Sequence, residues 1–130
     1  MIALEYILDT HAWIEYVLGT KKGIVVKKLI ENDASLITLE SSISEICLWC
    51  LREEKDFSRV LSIIKTYSHI EAITLTSWVE AAKIREQKRK TIKDFGLMDT
   101  LLLAKQQELN TKIVTGDPHF KHLKDVEFLG

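Results

Sequence analysis

Short β-branched apolar runs alternate along this chain with stretches whose apolar residues recur at helical spacing. LEYIL is a buried-strand pattern that stops abruptly at Asp9, followed by Thr10, His11 and the start of a helical pattern. Ala12 to Leu18 reads as a short helix, with Thr10 a plausible N-cap and Gly19 its end. Lys22 to Asn32 forms a second amphipathic helix, and SLITL (35–39) a second strand. Ser41 or Ser42 then caps a helix to about Glu54. Ile43, Ile46, Cys47, Cys50 and Leu51 form its core stripe, while Glu45, Leu48, Trp49 and Arg52 form a different one. Asp56 opens a helix to Tyr67, and Ile70 to Leu75 is a third strand. Ser77 with Glu80 reads as a capping box for a helix that turns basic near Lys90. A connector (91–96) leads to a helix from Leu97 to Leu109, stopped by Asn110. KIVT (112–115) is a fourth strand, Pro118 starts a helical turn, and Val126 to Leu129 is a last short strand.

Strands alternating with helices predict an α/β fold, a three-layer αβα arrangement around a mainly parallel sheet. The 130 residues suit a single domain, 1–130, with no linker, repeat or low-complexity tract. A hydrophobic content of 46% beside 28% charged residues is globular rather than disordered. The net charge of −1 neither announces nor excludes a nucleic-acid partner, because local patches decide that. No apolar run approaches the ~20 residues that cross a bilayer. The first residues lack a basic region followed by an apolar signal core, so the expected compartment is the cytoplasm. Cys47 and Cys50 lie mid-helix, where two small apolar residues on a core stripe are expected rather than a redox pair or a zinc site.

A strand that ends on a carboxylate must solvate, pair or ligate its charge. In open parallel sheets the carboxyl ends of strands are where ligands bind, which puts Asp9 in a functional position. Asp117 follows the fourth strand by one glycine, Asp99 opens the helix before that strand, and Glu45 lies near the start of the helix after the second strand. Each of these three has an ordinary explanation as a first-turn acid, a turn residue or a solvated helix residue. Jointly, the four acids can converge at one sheet edge. Crowded carboxylates repel, and a divalent cation relieves that repulsion. Hard oxygen ligands suit Mg²⁺ or Mn²⁺, ions that activate water for in-line attack on a phosphodiester. There is no Ser/His/Asp grouping and no glycine-rich phosphate loop to compete.

LDTHAWIEYVLG, SISEI, MDTLLLA and IVTGDPHF resemble, in this order, the motifs of the PIN domain family. The chain looks most like its small single-domain members of VapC type, the toxins of toxin–antitoxin pairs, over residues 4–129. The resemblance implies a parallel sheet of strand order 3-2-1-4-5 and an endoribonuclease site that uses Mg²⁺ or Mn²⁺. Carried over position by position, the catalytic and metal-binding acids are Asp9, Glu45, Asp99 and Asp117. Thr10 and Thr115 match polar positions that support the first and last acids by hydrogen bonding. A homodimer and a cognate antitoxin whose tail enters the acidic groove are also implied. Lys105 to Gln107 depart from the small residues of the pattern, a change expected to touch packing more than chemistry.

An RNA substrate needs cations. The dense basic stretch runs from Lys83 to Lys93, and Lys88, Arg89 and Lys90 are its candidates for phosphate contact. A solvated helix end with dipole-matched charge explains them equally well. His11 lies beside Asp9 and could shape the pocket, though an orienting or incidental role is expected sooner than a general base; Phe120 is expected to pack. His119 and His122 read as surface residues, and Tyr67 and Trp78 as core or subunit contacts. Leu48 and Trp49 suit a partner surface or a helix buried on two sides. Two alternatives stay open: an RNA-processing nuclease of the same chemistry, and a non-catalytic acidic α/β binding domain.

Overall fold

The computed structural model describes residues 4–130. Five strands, β1 (Glu5–Leu8), β2 (Ser35–Leu39), β3 (His69–Glu71), β4 (Lys112–Thr115) and β5 (Val126–Phe128), form one all-parallel sheet ordered β3-β2-β1-β4-β5. Alternation along the strands sends successive residues to opposite layers. Ile7, Ile37 and Ile113 face one core with residues of α5 (Leu75–Lys88) and α6 (Leu97–Leu109). Leu8, Leu36 and Val114 face the other. That second layer holds α1 (Thr10–Leu18), α2 (Ile24–Glu31), α3 (Glu40–Arg52) and α4 (Phe57–Tyr67). Among the described residues no helix is long and apolar enough to cross a membrane.

The chain winds outward from β1 through β2 to β3, then returns to lay β4 on the other side of β1. Connections from β1 and β4 thus diverge, and a crevice opens at their carboxyl ends, where α/β sheets bind ligands. Asp9 follows β1 directly and Asp117 follows β4 after Gly116, so topology brings both acids to that crevice.

Several helix starts differ from the sequence pattern. Asp9, not Thr10, caps α1: its extended backbone lets Oδ1 accept the Ala12 N–H at 2.8 Å. Neither Ser41 nor Ser42 caps α3. Its helix begins at Glu40 straight out of β2, and Glu40 Oε1 accepts the Ile73 N–H instead. Thr74 caps α5 by accepting the Ser77 N–H, so β3 is shorter than its apolar pattern and the Ser77–Glu80 box does not form. Glu80 pairs with Lys83, and Ser77 is buried with its hydroxyl on Glu108. The second helix starts later than expected because Gly23 lies tight against α1, where a Cβ would come within 2.4 Å of the Glu15 carbonyl oxygen.

Cys50 is buried and Cys47 half-buried, both free, and burial pushes the Cys50 thiol up from its usual pKa. Leu51 leaves the core stripe. It is 71% exposed on the last turn of α3, beside the exposed Arg52 and Glu53. Tyr67 and Trp78 are both exposed, so neither is core. Lys105 does more than fill space. Its side chain is fully buried, with Nζ 2.7 Å from Glu108 Oε2 and 3.8 Å from Glu71 Oε1. Through Glu108 and Ser77 it fastens α6 to α5.

Candidate metal centre

A cleft of about 420 Å³ opens at the carboxyl edge of the sheet, and Asp9, Glu45, Asp99 and Asp117 all line it. Asp9 is the buried member. Its Oδ1 is held by the Ala12 N–H, and its Oδ2 accepts the Thr115 hydroxyl. His11 Nδ1 stands 3.6 Å from the same Oδ2. The Asp9 carboxylate beside it raises the His11 pKa; burial opposes this, and the charges of Asp117 and Glu45 add to the rise. His11 lines the same cleft.

The two threonines support the acids in a crossed pattern. Thr10 donates to Glu45 Oε1 at 3.0 Å, freed for this because Asp9 has taken the cap. Thr115 donates to Asp9 and accepts the Asp117 N–H at 3.0 Å. The first acid is thus steadied by the second threonine, across two neighbouring strands.

Asp99 sits in the first turn of α6, where its Oδ2 accepts the Gly96 N–H at 3.0 Å. Burial raises its pKa above the ordinary 3.8. The Gly96 bond and His119 oppose that rise, while the charges of Asp117 and Asp9 reinforce it. Ligand atoms of Asp99, Asp117 and His119 lie within 4.8 Å of one another, and no other such trio occurs among the described residues. Asp9 and Glu45 line the same cleft outside this close set. Two carboxylates and an imidazole, one carboxyl already resisting ionisation, form a donor set that a divalent cation would satisfy. By donor chemistry the residues fit a metal.

His119 is exposed, as its surface reading had it, yet it stands beside two of the acids. Its signal lay in its spacing, two residues beyond Asp117 on the 3-10 turn Pro118–Phe120, which turns the ring back toward the acid. The stripe of Glu45, Leu48, Trp49 and Arg52 also lines the cleft, joined by Met98 and Leu102. Leu48 is exposed and Trp49 half-buried, so one wall of the acidic cleft is apolar. Lys88, Arg89 and Lys90 do not line it. They lie at the end of α5, where Arg89 pairs with Glu86 at 2.8 Å.

The fold is similar to several solved structures. A toxin–antitoxin complex from Klebsiella pneumoniae contains a chain 15% identical, matched over 96% of this chain and 98% of that one with a TM-score of 0.77. VapBC2 from Rickettsia felis, bound to a DNA fragment from its promoter, matches over 96% and 98% at 15% identity and a TM-score of 0.76. VapC20 of Mycobacterium tuberculosis, a sarcin–ricin loop cleaving toxin, matches over 94% and 97% at 15% identity and a TM-score of 0.72. No curated protein matches the sequence. The sequence profile of the PIN domain covers residues 6–126, nearly the whole chain, and with the sheet order and the acids at its edge this establishes that the chain belongs to the PIN domain family.

Proposed function

We propose that the chain, acting as one domain over residues 1–130, is a divalent-metal-dependent endoribonuclease of the cytoplasm and the toxin of a type II toxin–antitoxin pair. The observation that carries this reading is the convergence of Asp9, Glu45, Asp99 and Asp117 on one cleft at the topological switch of the sheet. The similarity to toxin–antitoxin chains over nearly their full length supports the biological half.

Asp99 and Asp117 would hold Mg²⁺ or Mn²⁺, with Asp9 and Glu45 on the flanks of the same cleft. A bound ion supplies charge neutralisation at the phosphodiester and lowers the pKa of an attacking water. The remaining work belongs to the chain. Asp9, fixed by Ala12 and Thr115, keeps the floor of the cleft rigid. Glu45, oriented by Thr10, is placed to accept a hydrogen bond from the attacking water. Arg52 on the same wall offers a cation to the RNA phosphates.

Lys88, Arg89 and Lys90 would extend the RNA track away from the cleft. A homodimer would cover the exposed Leu75, Trp78 and Val79 of α5, and the antitoxin would lie along the cleft against Leu48 and Trp49.

The test is to sequence RNA ends after controlled expression of the wild type and of Asp99→Asn, alongside cleavage by purified protein with and without EDTA. Asn at position 99 keeps a side-chain oxygen that can accept the Gly96 N–H, so the start of α6 is retained. Discrete new ends that vanish in the variant and in EDTA are expected. Intact RNA with wild-type protein in both Mg²⁺ and Mn²⁺ would favour the binding-domain alternative. Suppression of cleavage by the product of an adjacent small gene would separate a toxin from an RNA-processing enzyme.

A further inference from the structure

Resting on the divalent-ion site proposed above, we propose that His119 is a nitrogen ligand of that site and tunes it toward a first-row transition ion, Mn²⁺ in preference to Mg²⁺. The tightest set of donor atoms is not all-carboxylate: it joins Asp99 and Asp117 of the cleft to the exposed His119 beside them. His119 Nδ1 stands 2.9 Å from Asp117 Oδ1. Cis ligands of an octahedral ion with bonds of about 2.1 Å are about 3.0 Å apart. The pair is thus already spaced as one edge of a coordination shell.

The ring is not loosely tethered. It lies edge-to-face against buried Phe95, centroids 6.3 Å apart and planes at 72°, and Phe95 is braced by Phe120. The backbone N–H of His119 also binds Asp117 Oδ1 at 2.9 Å, so main chain and side chain converge on one carboxylate. The side chain is 39% exposed, which leaves the ring room to adjust as an ion enters. Imidazole suits transition ions, whereas Mg²⁺ prefers oxygen and retained water. One nitrogen donor therefore shifts selectivity without changing the carboxylates.

The test compares Mn²⁺ and Mg²⁺ binding by calorimetry in wild type, His119→Ala and His119→Asp, with pulsed electron paramagnetic resonance of the Mn²⁺ form. Wild type should show coupling of Mn²⁺ to a directly bound nitrogen, and His119→Ala should lose it. The same change should weaken Mn²⁺ by about tenfold or more and Mg²⁺ by less than about twofold. His119→Asp should recover Mg²⁺ binding but not the nitrogen coupling. His11→Ala, at the histidine that lines the cleft, should keep the coupling. Equal losses for both ions, or no nitrogen coupling in wild type, would overturn the role of His119. If Mn²⁺ and Mg²⁺ bind and Asp99→Asn abolishes that binding, the metal-site reading stands without it. If neither ion binds wild type, both fall together.

Discussion

The Thr115 hydroxyl, buried at the end of β4, donates to Asp9 Oδ2 at the end of β1, 106 residues away in sequence. Thr115 Oγ1 also accepts the Asp117 N–H, so one threonine sets the positions of two cleft acids. Its γ-methyl group is not what matters here; the hydroxyl is.

Thr115→Val keeps the shape of the side chain and removes that hydroxyl. A lost bond to a buried charged acceptor costs about 2 to 3 kcal/mol. Denaturant unfolding should show that loss, and RNA cleavage should fall by about tenfold or more because two acids lose their register. Thr115→Ser should restore most of both. A valine variant as active and stable as wild type would remove Thr115 from the account.

The raised pKa of Asp99 predicts a pH dependence in the metal-free protein. A carboxyl whose folded pKa exceeds its unfolded value binds its proton more tightly in the native state, so stability rises as pH falls through the folded value. The gain is complete below the ordinary 3.8 and is lost as pH rises. At neutral pH and without metal, Asp99→Asn should therefore melt above wild type, and the gap should close as the solution is acidified toward that value. With Mn²⁺ present the order should reverse, because binding stabilises only the protein that retains its ligand. Thermal melts across pH, with and without the ion, measure both arms.

Lys105 and Glu108 give an asymmetric pair of variants. Glu108→Ala leaves the fully buried ammonium with only Glu71, 3.8 Å away. Orphaning a buried charge is costly; here the half-exposed glutamate tempers the loss to about 2 kcal/mol. Lys105→Met removes the charge and keeps the volume, so its unfolding free energy should stay within about 1 kcal/mol of wild type. The Glu108 pKa is lowered, chiefly by its hydrogen bond with Lys105. Its contribution is present above the unfolded value of 4.5 and lost as pH falls through the folded one, so the two proteins should converge in acid. Chemical unfolding at two pH values is sufficient to see it.

The basic end of α5 is tested by salt. Arg89→Glu with Lys90→Glu should weaken RNA binding and flatten its dependence on salt. For two phosphate contacts to a single strand the slope of log K against log salt would drop by about 1.4. Because both residues stand outside the cleft, cleavage at saturating RNA should hold. An unchanged salt series would assign these charges to the helix end alone.

Local chemistry made much of this protein readable from the chain itself. The strand 35–39, the helix 97–109 and the strand 112–115 match the structure residue for residue, because their periodicity and their stops at Asn110 and Asp117 are short-range signals. Asp9, Asp99 and Asp117 are equally visible, since each sits beside the end of a strand or the start of a helix, while Glu45 lies in the second turn of α3. Three-dimensional packing decided the rest. Asp9 caps α1, which leaves the Thr10 hydroxyl for Glu45, a residue brought up by another element. Lys105 is buried because Glu108 and Glu71 neutralise it, and Glu71 comes from a different element. His119 comes close to Asp99 and Asp117 through a three-residue turn, its ring against Phe95. Periodicity records which face of an element is apolar; which polar atoms meet across elements depends on the register of the sheet and the docking of helices upon it.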